Sequence, residues 1–127
     1  MPPTFLTLVE IVEIHRDQLA RYGGTPGIRD LSLLQSALAQ PQASFAGEFL
    51  HQDLCGMAAA YLFHIVRNHP FVDGNKRTGA VAAIVFLDLN GKEFDAPEKD
   101  LEMLVLQVAR GATDKARVVE FIRQHVH

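Results

Sequence analysis

Two stretches of this chain, Met57 to Val66 and Gly79 to Leu87, have almost no polar face. At helical spacing, a segment that is apolar nearly all round is satisfied only when other elements surround it. The first lies in a predicted helix from about His51 to Arg67. The second lies in a helix that starts near Asn75 and stops at Asn90-Gly91. A chain of 127 residues forms one domain, 1–127, with room for one real core, and these two helices must be its centre. The expected fold is therefore all-α, a compact bundle of about six helices. The segment joining the two buried helices is held rigidly between them.

The covering helices follow from weaker signals. Thr4 to Arg21 carries Phe5, Leu8, Val9, Val12 and Leu19 at helical spacing, and Tyr22-Gly23-Gly24-Thr25-Pro26-Gly27 stops it, with Gly23 as a left-handed cap. Asp30 caps a short helix through Gln40 with Leu31, Leu34 and Leu38 on one face. Pro41 to Gly47 reads as a loop or flap. Asp95-Ala96-Pro97-Glu98 resembles a capping box and opens a helix that ends at Gly111. Thr113-Asp114 opens the last helix, with Val118, Val119, Ile122 and Val126 inward. Strand alternation is absent apart from a short extended piece at Glu93 to Asp95. His64 is expected in the core or behind the site, and His15, His51, His125 and His127 on the surface, the last two poorly ordered. Cys55 reads as an inert core thiol. A net charge of −3 offers no basic field for DNA or RNA. No run spans a bilayer and no signal peptide is evident, so a cytoplasmic protein is expected.

The connection between the central helices reads His69-Pro70-Phe71-Val72-Asp73-Gly74-Asn75-Lys76-Arg77-Thr78. A helix start there presents unpaired N–H groups and partial positive charge, and Gly74 lets an anion approach the backbone. Lys76 and Arg77 oppose the helix dipole in the first turn, a broken local rule that an anion would repair. His69 is the one group in the stretch able to take a proton from a hydroxyl near neutral pH. Asp73 is a hard oxygen ligand suited to Mg²⁺ on a nucleotide. Phe71 reads as a hydrophobic plug and Pro70 as stiffening. Together the parts suit transfer of a phosphorus-containing group.

This string resembles the Fic/Doc (Fido) signature H-x-F-x-[DE]-[AG]-N-[GK]-R, each specified position matching in order. Lys76 stands where Fic proteins carry glycine, as in the death-on-curing (Doc) branch. Arg21-Tyr22-Gly23-Gly24-Thr25-Pro26-Gly27 is similar to the stretch ending the first helix of Doc toxins, and the likeness covers essentially the whole chain. The resemblance implies the Fido fold and the toxin of a type II toxin–antitoxin system. It implies His69 as the base that deprotonates a target hydroxyl, and Asp73 as the Mg²⁺ ligand that helps position it. Gly74 and Asn75 would form an anion nest, Asn75 also holding the loop, while Lys76 and Arg77 would contact the phosphates of ATP. The Doc-type lysine implies inverted ATP, with the γ-phosphate facing the target. That means kinase-like phosphorylation of a threonine of translation elongation factor Tu and arrest of translation. The implied partner is a Phd-like antitoxin whose C-terminal segment lies over the active-site groove. Pro41–Gly47 would match a target-docking flap, and Arg67 would add a phosphate contact. Gly74 and Pro70 are Fic-like, which keeps AMP transfer as the alternative. The inhibitory S/T-x-x-x-E-[GN] motif of many Fic proteins is absent, which suits a separate inhibitor. A non-catalytic binding module is the reading from another class. Metal-dependent hydrolysis through His64, His69 and Asp73 fits no standard metal spacing.

Overall fold

Four of the six helices begin at a side chain that caps them, and the two exceptions differ in kind. The computed structural model describes residues 2–127, in the order α1 (Leu8–Tyr22), α2 (Leu31–Ala39), β1 (Ser44–Phe45), β2 (Glu48–Phe49), α3 (Leu54–Asn68), α4 (Asn75–Leu89), α5 (Glu98–Ala109) and α6 (Lys115–His125). Thr7 and Glu10 form a capping box on α1, and Asp30, Asp53 and Asp114 cap α2, α3 and α6. No side chain caps α5, but Glu98 and Asp100 in its first turn offset the dipole. At α4 there is neither cap nor acid, and the first turn carries Lys76 and Arg77 instead. One helix N-terminus is thus left bare and positively charged, in the connection between the central helices.

These caps correct several sequence boundaries. α1 begins at Leu8, because Thr7 provides the cap, and the preceding segment runs extended, Leu6 N–H donating to the Tyr61 hydroxyl at 2.8 Å. α3 begins at Leu54, behind Asp53, rather than at His51. The capping box expected at Asp95 does not form, since Pro97 occupies the N-cap. The expected Pro41–Gly47 loop leads into a small antiparallel hairpin, Ser44 opposite Phe49 and Phe45 opposite Glu48. Ala46 and Gly47 both take positive φ at its turn.

α3 lies at the centre, packed against α2, α4, α5 and α6, and α1 lies on α4. Tyr61, Leu62 and Ile65 of α3 and Phe86 and Leu87 of α4 are fully buried, as the two apolar stretches require. The two helices cross at Gly79, where an added Cβ would lie 2.8 Å from Val66 Cγ2 and 3.1 Å from the Leu62 carbonyl oxygen. The inward face of α1 is Ile11, His15 and Gln18, whereas Val9, expected with the apolar set, is 65 % exposed. On α6, Phe121 joins Val118 and Ile122 in the core. The extended piece at Glu93–Asp95 is present, with Phe94 bridged to Val126 and Glu93 and His127 exchanging backbone hydrogen bonds. His125 and His127, expected to be loose, are tied down by this bridge.

Candidate functional site

α3 ends at His69, whose left-handed conformation (φ 49°, ψ 54°) turns the chain toward α4. A non-glycine residue held there stores roughly 1 kcal/mol or more of strain. Arg29 holds the turn: its Nε donates to the His69 carbonyl at 2.7 Å and its Nη2 to the Asn68 carbonyl at 3.0 Å. The N–H groups of Arg29 and Asp30 both reach the Pro70 carbonyl, and Val72 N–H donates to the Gly27 carbonyl. The segment after α1 is thus laid along the loop as a short antiparallel bridge, Ile28 opposite Phe71.

Inside this frame Phe71 is fully buried, the plug its sequence position suggests. Phe71 N–H donates to Asn75 Oδ1, and Asn75 Nδ2 donates to the Phe71 carbonyl, both at 2.9 Å. Both ends of the buried Asn75 amide are engaged in closing the loop, and its backbone N–H stands at the start of α4. His15, expected on the surface, is buried. Its ring stacks on Phe71 at 3.8 Å between centroids, 7° from parallel, and its Nε2–H donates to the Asp73 carbonyl at 2.8 Å.

The Asp73 carboxylate is exposed and fixed by two backbone donors, Gly74 N–H to Oδ1 at 2.8 Å and Thr25 N–H to Oδ2 at 3.2 Å. These N–H groups hold its carboxyl below the ordinary carboxylate value. Gly24 must be glycine here: at φ 126°, a Cβ would meet Leu19 Cδ2 at 2.8 Å and Asp73 Oδ2 at 3.0 Å. Gly74 follows in the left-handed region, φ 80° and ψ 14°. The first bond of α4 runs from Thr78 N–H to the Gly74 carbonyl, so the N–H groups of Asn75, Lys76 and Arg77 precede the ladder with no side chain to cap them.

Arg77 donates through Nη2 to the Gly23 carbonyl at 2.9 Å and rests over the Tyr22 ring, 5.3 Å from its centroid. Lys76 and Arg77 border a groove of about 460 Å³ between α1, α4 and α5, floored by Ala80, Ile84 and Val105 with Glu98 and Glu102 opposite. His69 and Asp73 are both exposed on one loop, in the connection that leads into the bare end of α4. Two further expectations fail. Arg67 turns away from the loop and donates to the Val108 and Ala109 carbonyls, closing the end of α5. The hairpin packs through Phe49 against Phe5, beside Leu54 and Leu89, at the opposite end of α3 from His69. His64 is half-buried and edge-on to Phe63, so it takes no part in the loop. His51 and His125 are half-buried as well.

Among the described residues, no group of three or more His, Cys, Asp or Glu side chains gathers as a metal cage. A single fixed carboxylate beside free N–H donors suits Mg²⁺ that arrives on phosphates, which needs one or two carboxylates and keeps its waters. The donors at Asp73 thus fit that ion, and the bare helix end fits phosphate.

A model of the Fic/DOC family matches residues 5–87, the span of α1 through nearly all of α4. Protein kinase doc of Escherichia phage P1 is 35 % identical over 116 residues, which cover 91 % of this chain and 90 % of that protein. Toxin Doc of Mycolicibacterium smegmatis is 45 % identical over 75 residues, 59 % of this chain and 58 % of that protein. The chain belongs to the Fic/DOC family. Its relatives lie on the Doc branch, and its six-helix bundle is the Fido fold that the loop signature implied.

Proposed function

We propose that this chain is the toxin of a toxin–antitoxin pair and transfers a phosphorus-containing group from ATP to a protein hydroxyl. The observation that carries the reading is the N-terminus of α4: three N–H groups without acceptors, two cations in the first turn and a fixed carboxylate one residue before Gly74. That arrangement binds and orients phosphates. Its likeness to proteins named as a kinase and as a toxin supports the same class of activity.

In this reading the N–H groups of Asn75, Lys76 and Arg77 hold a phosphate of the donor, with Lys76 and Arg77 balancing its charge. Asp73 would hold Mg²⁺, which supplies charge neutralisation on the phosphates. His69, exposed at the mouth of the loop, takes the proton of the target hydroxyl as its oxygen attacks phosphorus, and the bond from that phosphorus to the bridging oxygen of ATP breaks as the remainder of ATP leaves. The Doc-type lysine at position 76 favours the γ-phosphate as the group moved, making the reaction a phosphorylation. The acceptor is a threonine of elongation factor Tu, and translation stops. The groove beside Lys76 and Arg77, apolar on its floor and acidic on its far wall, receives the C-terminal segment of a Phd-like antitoxin, with the whole system acting in the cytoplasm. Among the described residues no helix is long and apolar enough to cross a membrane.

The test is a transfer reaction in a bacterial lysate with Mg²⁺ and ATP labelled at either the γ or the α position, with His69→Ala as control. Label from the γ position on a protein of elongation factor Tu size, absent with His69→Ala, is the expected result. Label from the α position would replace phosphorylation with AMP transfer. Equal labelling by wild type and His69→Ala would remove His69 as the base.

A further inference from the structure

The residue that allows an anion to approach also creates a weakness. Gly74 has no Cβ, so the Asp73–Gly74 peptide can rotate between opposite orientations at little steric cost. One orientation sends the Asp73 carbonyl into the protein and leaves the N–H groups that follow facing out. The other turns a carbonyl oxygen toward the place where the anion must sit. On the N–H side of this peptide the Asp73 carboxylate accepts from Gly74 N–H at 2.8 Å, but Asn75 is closed on Phe71, and the Asp73 carbonyl finds its partner outside the loop.

His15 reaches that peptide from α1, 58 residues earlier in the chain. Its Nε2 lies 2.8 Å from the Asp73 carbonyl oxygen. A carbonyl only accepts, so Nε2 must carry a proton and donate. The ring cannot swing away, because it lies flat on Phe71 and is buried. It also underlies Gly74, where an added Cβ would sit 3.6 Å from both Cδ2 and Nε2. We infer that His15 is a positioning residue, a latch that fixes the Asp73–Gly74 peptide so that the anion cradle and the Asp73 carboxylate keep their working orientation. The inference rests on the phosphate-cradle reading of the α4 N-terminus and adds to it a residue outside the loop signature.

The variants that separate a latch from a packing residue are His15→Phe and His15→Gln. Phenylalanine keeps a flat ring against Phe71 and removes the donor. Glutamine gives up the ring but carries an amide donor to about the place of Nε2. Three readouts decide: the Gly74 amide and Asp73 carbonyl shifts by NMR, the shifts of the Asn75–Arg77 amides on titrating Mg²⁺ and ATP, and kcat and KM for transfer. His15→Phe is expected to move the Gly74 and Asp73 signals, weaken the response of the three amides, and lower kcat/KM on the order of 10²-fold, the usual cost of misplacing a reacting group by about 1 Å. His15→Gln is expected to restore most of each. Wild-type signals and rates in His15→Phe would overturn the latch, and so would a His15→Gln protein as defective as His15→Phe. Should His15→Phe fail to fold, the wild-type imidazole still decides: its ring ¹⁵N shifts must show a proton on Nε2, and a neutral ring protonated only at Nδ1 overturns the proposal. A wild-type protein that labels nothing would remove the transfer reading, while the Gly74 signals and the tautomer would still decide the latch.

Discussion

Asn75 shows how much one buried amide controls in this loop. Its two hydrogen bonds to Phe71 satisfy a backbone N–H and a carbonyl that have no access to water. Asn75→Ala leaves both unpaired, at about 1–3 kcal/mol for each group. A loss of roughly 2–6 kcal/mol is expected by urea unfolding, a large share of the ~5–15 kcal/mol that typically holds a domain. A variant that unfolds at the wild-type midpoint would mean the loop is closed by other contacts. The contacts of Phe71 and Asn75 were readable because they are local. Those of His15, Arg29 and Arg67 were not, since each acts on carbonyls about 40 or more residues away in sequence. A cation near a loop looks the same on paper whether it faces a phosphate or, like Arg67, the end of another helix.

Among the helices, α3 and α4 were legible because nothing polar interrupts them, and burial on all sides leaves one place to put them. The face of α1 was misjudged for a related reason. His15 and Gln18 turn inward and Val9 outward because partners on the loop and α4 select them, which hydropathy alone does not record. The α3–α4 pair depends on its crossing point. A side chain at Gly79 would press on Val66 and on the Leu62 backbone, and backbone does not yield as a side-chain tip does. Gly79→Val is expected to cost about 1–3 kcal/mol through overpacking, seen as a lower melting temperature with the helical circular dichroism retained below it. An unchanged melting temperature would show that the two helices can part without loss.

The whole molecule carries a pH dependence that does not come from the site. Burial, helped by Lys115 and His51, pushes the His64 imidazole down to about 4, and its Nε2 has no partner. The folded value lies below the ordinary 6.5, so the unfolded chain binds the proton more readily. This stability is therefore fully present above about pH 6.5 and is lost as the pH falls toward about 4. The effect is on the order of 2 kcal/mol once the ring's partial exposure is discounted, and His51, also lowered by burial, adds in the same sense. Asp30 and Asp73, held below the ordinary carboxylate value, titrate beneath this window. The urea midpoint is expected to drop between about pH 7.5 and about pH 5 in wild type and to drop less in His64→Leu. Equal drops in both would assign the effect to other groups.

The bare end of α4 has a consequence for selectivity. Three backbone N–H groups sense charge and shape, and every phosphate, free or esterified, presents nearly the same face to them. Such a device cannot tell one phosphorylated molecule from another. In the proposed reading, any choice of a particular nucleotide then falls farther out, to the walls of the groove beside Lys76 and Arg77. One of those walls is α5, which lies outside residues 5–87, the part of the chain matched by the family model.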